Sequence, residues 1–208
     1  MKHEHFQEID STQDYLGDLN PSHPYLVSCE RQTHGKGRHA RKWLQLKDAL
    51  ACSFTLPAHQ ILTLTALEVA VLINQFFQNR LRLKWPNDLM DNNNQKTGGI
   101  LIDSKGKSLI VGIGINLNPN QEFGSVYSSH RSFNLKELSF EMYQFIQTHR
   151  LNSQKIRDKW MQYCCHANEM VHLDNQPGVF KGIGESGEAI LFTQGTLQKF
   201  YTGTLRLR

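Results

Sequence analysis

The segment 109–118, LIVGIGINLN, constrains the fold most, because it is apolar over a length that suits a central strand of a sheet. Other short apolar segments bounded by turn residues are also predicted to be strands: 25–30, 51–56, 81–85 and 98–103. The run Asn92–Asn94 lies between two apolar stretches and predicts a loop or a hairpin tip.

Helices are predicted between and after these strands. From Leu62 the chain reads LTLTALEVAVLINQFFQNR, and at about 100° per residue its apolar side chains share one side, with Glu68 on the opposite side. Asn134 followed by Glu137 resembles a capping box and predicts the start of a second helix. A third helical stretch includes Trp160. Strands and helices together predict an α/β main domain.

The character of the chain changes near residues 165–169. Beyond this point we find only short strand-like pieces, MVHL, VFKGI, AILF and LQKFY, separated by glycines. Such a pattern is typical of a small β-barrel or meander. We therefore predict two domains, residues 1–167 and residues 168–208.

Composition places the chain among ordinary globular proteins. It has 208 residues, a formal net charge of +4, 39% hydrophobic and 20% charged residues. No apolar run approaches the ~18 residues of a membrane span, and the N-terminal MKHEHFQEID does not resemble a signal peptide. Cys29, Cys52, Cys164 and Cys165 lack the spacing of a zinc site, so we expect reduced thiols in a cytoplasmic protein.

The most unusual local feature is the basic loop, residues 30–43, ERQTHGKGRHARKW. Its G-x-G-x-x-A spacing, from Gly35 to Ala40, resembles a dinucleotide-binding turn. The acidic residue expected about 20 positions later is missing, and no apolar-periodic helix follows, so this interpretation is weak. No helix-turn-helix, zinc finger or RNA-binding motif accompanies the loop, so specific DNA binding is not expected.

Two interpretations of the basic loop remain. Its cations could form a solvated turn, which is ordinary for a surface. Alternatively, two glycines allow backbone N–H groups to converge while arginine and lysine flank them, which suits a phosphate or a carboxylate. The loop alone favours the anion site only slightly.

Further strings elsewhere in the chain decide between them. They occur in one order over the first 120 residues: Asp10–Gln13 (DSTQ), Gln32–Arg38 (QTHGKGR), Arg41–Trp43 (RKW), Lys84–Asp88 (KWPND), Lys96–Leu101 (KTGGIL) and Gly112–Asn116 (GIGIN). In these strings the chain resembles the bacterial biotin protein ligases. The resemblance implies an α+β fold: a mixed sheet with helices, like the catalytic domain of class II aminoacyl-tRNA synthetases and biotin ligases, followed by a small SH3-like β-barrel.

The resemblance also implies an activity. The family activates biotin with ATP as biotinyl-5′-AMP and transfers the biotinyl group to a lysine of a biotin carboxyl carrier protein, with Mg²⁺ accompanying the ATP. The chain starts directly at the Ser-Thr motif, without room for a winged-helix domain, so we expect a monofunctional enzyme, monomer or homodimer, that binds neither specific DNA nor membranes. A lipoate-type ligase or acyl transferase and a non-catalytic biotinyl-adenylate-binding protein are the alternatives.

The resemblance assigns roles to individual residues. Lys96 and Arg38 are the catalytic candidates. The biotin-binding candidates are Ser11, Thr12, Gln13, Gln32, Lys36, Gly37, Arg38, Trp43, Lys96, Gly98, Gly99 and Gly114. The candidates for the adenylate are Lys36, Arg38, Asn87, Asp88, Lys96 and Asn116, with Asp88 the position nearest to any Mg²⁺. Two departures stand out: Lys36 occupies a position where the family more often has arginine, and Thr204 one where it has an acidic residue.

Overall fold

The structure is a computed structural model that describes residues 1–105 and 108–207. Its elements follow in chain order: β1 (Lys2–Ile9), α1 (Thr12–Leu19), β2 (Tyr25–Gln32), β3 (Ala49–Leu56), α2 (Thr65–Phe76), β4 (Arg82–Lys84), β5 (Asp88–Met90), β6 (Lys96–Lys105), β7 (Ser108–Asn116), α3 (Leu135–Thr148), α4 (Ser153–Tyr163), β8 (Met170–Leu173), β9 (Gln176–Ile183), β10 (Ala189–Thr193), β11 (Thr196–Phe200) and β12 (Leu205–Leu207).

The first seven strands form one mixed sheet in the order β1-β2-β3-β7-β6-β5-β4. Only β1 and β2 run parallel, and the other neighbours are antiparallel. Strand β7 lies in the middle, between β3 and β6, and Val111 and Ile115 are completely buried. The prediction of a central strand at 109–118 is therefore confirmed.

Helices cover both faces of this sheet. The main core lies under α2, α3 and α4 and includes Leu26 and Phe54. Helix α1 packs on the opposite face, where Leu16 meets Val27 and Ile110 in a smaller cluster. Neighbouring residues Leu26 and Val27 point to different faces, as the alternation along a strand requires. Both faces of the central strands are consequently buried.

Helix α2 departs from its prediction in one respect. Glu68, which lies opposite the apolar stripe, is completely buried rather than facing solvent. Its carboxylate accepts hydrogen bonds from Nε and Nη2 of Arg150, at 2.9 and 2.8 Å, and from the backbone N–H of Leu151 at 2.7 Å. The connection between α3 and α4 covers this side of α2. Glu68 is therefore a buried carboxylate with three N–H donors, and does not belong to an exposed polar face.

The predicted helix α3 is confirmed, and so is its cap. The side chain of Asn134 accepts a hydrogen bond from the backbone N–H of Glu137 at 3.2 Å. Helix α2 ends at Phe76, because Gln78 and Asn79 adopt left-handed backbone conformations. The asparagine run forms the turn between β5 and β6, as predicted.

The last five strands form a second, antiparallel sheet in the order β11-β10-β9-β8-β12. In residues 168–207 no ladder connects the outer strands β11 and β12. The second sheet packs onto the main core through buried side chains such as Phe180 and Leu191, and the turn that joins β9 to β10 adds hydrogen bonds. Here the indole Nε1 of buried Trp85 donates to the carbonyl of Gly187 at 3.0 Å, and the hydroxyl of Thr63 donates to the carbonyl of Ser186. The division into domains at residue 167 stays a prediction.

Two further expectations concern the whole chain. All four cysteines are unbonded to one another and buried. Within 1–105 and 108–207, none of the helices combines the length and the apolar character that crossing a membrane requires.

Candidate active site

A cleft opens where the first sheet meets the end of the second. Its walls come from the start of α1, the basic loop, the β4–β5 turn, strands β3, β6 and β7, and residues 203–205. Most of the predicted site residues line it: Ser11, Thr12, Gln13, Gln32, Lys36, Gly37, Arg38, Trp43, Asn87, Asp88, Lys96, Gly99 and Gly114. Residues from distant parts of the sequence are thus brought together at one place.

Two predicted site residues, Gly98 and Asn116, do not line the cleft. A Cβ at Gly98 would lie under 3.0 Å from the carbonyl oxygen of Gly114, so this glycine lets β6 and β7 approach each other. Asn116 is buried at the end of β7, and its Oδ1 has no hydrogen-bond partner among the described residues. Both residues belong to the frame behind the cleft wall.

A polar network forms the inner end of the cleft. Gln32 Oε1 accepts hydrogen bonds from the backbone N–H and the hydroxyl of Thr12, at 2.8 and 3.0 Å. The Thr12 hydroxyl also lies 2.9 Å from that of Ser53, which donates to Oε1 of Gln13 at 3.0 Å. Two hydroxyl protons serve these three hydroxyl contacts, so one of the contacts is always without a proton and leaves a hydroxyl lone pair free to accept. The network therefore suits a ligand that brings N–H groups.

The basic loop folds back on itself beside this network. Its two strands are joined by an antiparallel bridge between Lys36 and Lys42 and by a hydrogen bond from Trp43 N–H to the carbonyl of Gly35 at 2.8 Å. Arg38–Ala40 form one 3-10 turn and no α-helix follows the glycines, which agrees with the weakness of the dinucleotide-binding interpretation.

The two predicted anion-binding cations differ in their surroundings. Arg38 is half-buried and donates from Nη1 to Oδ1 of Asn87 at 3.2 Å. Burial lowers the pKa of the Arg38 guanidinium, while the charge of Asp88 opposes this effect. Lys36 is exposed and pairs with Asp14 at 2.8 Å, and this hydrogen bond raises the pKa of the Lys36 ammonium. Desolvation makes Arg38 the cation that gains most from an incoming anion.

Asp88 lies between two lysines. Its Oδ1 is 2.6 Å from Nζ of Lys96, and its Oδ2 is 3.3 Å from Nζ of Lys84. A divalent cation at this carboxylate would have to approach two ammonium groups. No cluster of three His, Cys, Asp or Glu side chains suited to a metal occurs in residues 1–105 and 108–207. The residues around Asp88 therefore do not fit a magnesium ion.

The glycines of β7 make room for side chains. A Cβ at Gly114 would lie 2.5 Å from two carbons of the Trp43 indole, and a Cβ at Gly112 would collide with the Gln13 amide. The Trp43 ring therefore lies against Gly114, and both residues line the cleft.

Several lining residues were not assigned from the sequence. Ser53 connects the two halves of the polar network, and its only signal is a polar residue in the buried strand ALACSFTL. Trp85 lies within the KWPND string and was not assigned a role. Thr204 and its neighbours Gly203 and Leu205 extend the wall from the second sheet, so the C-terminal unit contributes directly to the cleft.

Together, the mixed sheet flanked by helices and its basic, amide-rich cleft define an α/β protein whose cleft has the charge that an anionic ligand requires. The model of the biotin/lipoate A/B protein ligase family matches residues 5–120. This match spans more than half of the chain, which therefore belongs to this family.

Individual relatives agree with this assignment. The biotin protein ligase of Aquifex aeolicus, solved in complex with biotin and ATP, superposes with a TM-score of 0.81 at 26% identity over 100% of this chain and 99% of that one. The bifunctional ligase/repressor BirA of Bacillus spizizenii is 26% identical over 96% of this chain and 72% of its own length. The biotin--[acetyl-CoA-carboxylase] ligase of Paracoccus denitrificans is 26% identical over 79% of this chain and 82% of its own length. The matches to other curated relatives span only 27% to 39% of their lengths.

Proposed function

We propose that the chain is an ATP-dependent biotin protein ligase that forms biotinyl-5′-AMP and transfers the biotinyl group to a lysine of a biotin carboxyl carrier protein. The observation that carries this proposal is the cleft itself. It places the half-buried Arg38 and the ammonium of Lys96 in one space with the proton-deficient network around Thr12 and Gln32. Biotin has a carboxylate at one end and a ureido ring with two N–H groups at the other, which matches both parts.

The cations serve the first half-reaction. A biotin carboxylate oxygen attacks the α-phosphorus of ATP, the bond to the β-phosphate breaks, and pyrophosphate leaves. Both reactants are anions, so positive groups must compensate their charges as they meet. Arg38 can bind two oxygens at once through its planar guanidinium, and Lys96 provides a point charge at the junction of carboxylate and phosphate.

The second half-reaction needs little from the protein beyond orientation. The carrier lysine, as a free amine, attacks the carbonyl carbon of the mixed anhydride, AMP departs with the bonding electrons, and the proton that the amine loses passes to solvent. Charge compensation by Arg38 and Lys96 also stabilises this leaving phosphate. In this scheme Mg²⁺ accompanies the ATP substrate, because the two ammonium groups at Asp88 disfavour a divalent cation at that carboxylate.

Further residues of the cleft would contact the biotin rings and the adenylate. The biotin ring system would lie between the polar network and the Trp43 indole, with Ser11, Gln13 and Gly99 around it. The adenylate would extend toward Asn87 and the C-terminal wall. Gly98 and Asn116 would support these surfaces from behind, and Gly114 gives the Trp43 indole room to lie in the cleft.

The proposed enzyme has two domains. Residues 1–167 form the catalytic domain and residues 168–208 an SH3-like domain, which the antiparallel sheet of β8–β12 supports. ATP and carrier proteins are cytoplasmic reactants, so the enzyme is expected in the cytoplasm, as a monomer or a homodimer. Limited proteolysis tests the domain boundary, and a first cleavage inside α4 or β9 would contradict it.

One assay tests the activity. The protein is incubated with biotin, ATP, Mg²⁺ and a biotin carboxyl carrier domain, and the mass of the carrier is measured. We expect a gain of one biotinyl group. Transfer of lipoate instead would assign the chain to the lipoate-type ligases, and tight binding of biotinyl-AMP without transfer would make it a binding protein.

A pair of variants tests the site. Lys96→Ala should reduce adenylate formation by at least about 100-fold, because a charge that acts in the transition state is lost. The matched control is Lys155→Ala, which removes an exposed lysine of α4 and should leave the rate unchanged. Near-wild-type adenylation by Lys96→Ala would refute the assignment of Lys96.

A further inference from the structure

Asp88 was expected near the adenylate, but its surroundings point to another task. Each carboxylate oxygen already faces a lysine ammonium, Lys96 at 2.6 Å and Lys84 at 3.3 Å. Building on the proposed ligase activity, we infer that Asp88 is a positioning residue that holds the Lys96 ammonium in the cleft, and that it binds neither the nucleotide nor a metal ion.

The strand register supports this inference. Lys84 and Asp88 are direct cross-strand partners on β4 and β5, so their side chains share one face of the sheet. On its other side, Asp88 is paired with Gly99 of β6. A Cβ at Gly99 would lie 3.7 Å from Nζ and 3.8 Å from Cε of Lys96. The Lys96 side chain therefore lies along the surface that Gly99 leaves bare and ends at the Asp88 carboxylate.

The distribution of burial adds a second argument. The side chains of Asp88 and Lys84 are each 17% exposed, whereas that of Lys96 is 48% exposed. A lysine with this exposure has many rotamers, and ordering it costs conformational entropy. The rigid, mostly buried carboxylate offsets that cost by a charge-assisted hydrogen bond. Lys84 in turn compensates the second carboxylate oxygen.

The balance of charge explains why a carboxylate is tolerated in a site for anions. Lys84, Lys96 and Arg38 all lie around Asp88, and its negative charge reaches Arg38. One carboxylate among three cations leaves the cleft positive. Without it, the flexible Lys96 would be repelled by the two other cations and would move toward solvent.

A double-mutant cycle with Asp88→Asn and Lys96→Met tests the inference. The readouts are the affinity for a non-hydrolysable biotinyl-adenylate, measured by calorimetry, and kcat and KM for adenylate formation. We expect Asp88→Asn alone to weaken binding about tenfold and to lower kcat about 10- to 100-fold, with the Mg²⁺ concentration for half-maximal rate unchanged. In the Lys96→Met background the same substitution should change affinity by less than about twofold, because its target is gone.

Controls separate this effect from loss of structure. Asp158→Asn makes the same change on the exposed face of α4 and should alter neither readout. Asp88→Glu keeps the carboxylate and should recover part of kcat, which a merely structural role would not predict. Affinity losses that multiply in the double variant, or a higher Mg²⁺ requirement in Asp88→Asn, would overturn the inference. If the wild-type protein forms no biotinyl-AMP, the proposed function itself fails, which is a different result.

Discussion

Three glycines in the two strands behind the cleft allow a graded test of the packing. Alanine at Gly114 would place its Cβ 2.5 Å from the Trp43 ring, where ordinary contact begins at 3.4 Å, so the indole must move by roughly 1 Å. Alanine at Gly98 meets the carbonyl of Gly114, a backbone atom that cannot rotate away. Alanine at Gly99 has its nearest neighbour at 3.7 Å, an ordinary contact.

These distances set the expected free energies of unfolding. Overpacking costs about 1–3 kcal/mol, so Gly114→Ala should lose about 1–2 kcal/mol as the indole shifts, and Gly98→Ala about 3 kcal/mol or more because β6 and β7 must separate. Gly99→Ala should be neutral or stabilising by up to about 0.5 kcal/mol, since none of the three glycines has a left-handed backbone that alanine would strain.

Urea denaturation of the three variants under identical conditions provides the measurement. Calorimetry with biotin adds a second readout, because Gly114→Ala moves the Trp43 indole that lines the cleft and should weaken binding. Equal midpoints for Gly98→Ala and Gly99→Ala would refute the packing of β6 against β7 described above. Unchanged biotin affinity in Gly114→Ala would refute the indole as a wall of the ligand site.

Three further outcomes follow from buried polar groups. Glu68→Ala should lower the free energy of unfolding by about 3 kcal/mol in urea titrations, because it leaves the Arg150 guanidinium without its buried partner. Burial lowers the pKa of His166 to about 3, so the folded state binds fewer protons than the unfolded state below pH 6.5. The contribution of neutral His166 to the free energy of unfolding is therefore fully present above pH 6.5. The free energy of unfolding should fall by about 2 kcal/mol between pH 7 and pH 5, and His166→Leu should remove this dependence on pH. Trp85→Phe leaves the carbonyl of Gly187 without its donor and should cost about 1–3 kcal/mol in thermal or urea unfolding.

Matched substitutions on the surface serve as controls for these three. Glu141→Ala on the exposed side of α3 should leave the midpoint nearly unchanged, and His130→Leu in an exposed loop should keep the full dependence on pH. A destabilisation by Glu141→Ala equal to that of Glu68→Ala would contradict the role of burial. A pH slope that survives in His166→Leu would show that other groups cause it.

Local signals predicted much of the fold. The apolar length of β7 and the Asn134 cap of α3 are properties of short segments, and both were found where the sequence indicated them. Strand β1, KHEHFQEI, was missed because its stability comes from a partner that is distant in sequence. It pairs with β2, and both His3 and His5 hydrogen-bond to the hydroxyl of Ser28, at 2.8 and 2.9 Å.

In the candidate site, too, features of short segments were predictable and contacts between distant residues were not. Most of the lining residues belong to the short strings that carry the resemblance, so they could be found from local sequence alone. Ser53 could not be assigned, because its function in the network depends on Thr12 and Gln13 being opposite it. The burial of Glu68 was likewise hidden, as its partner Arg150 lies far along the chain.

Segments that are far apart in the sequence meet at the cleft. Ser11 and Thr204 line the same space, although almost the whole described sequence separates them. Contacts across such a separation form late in folding, because the entropy of closing a long loop opposes them until the rest of the structure is in place. The cleft therefore stays open on one side until the segment around Thr204 has docked, so we expect the complete binding site to form late in folding.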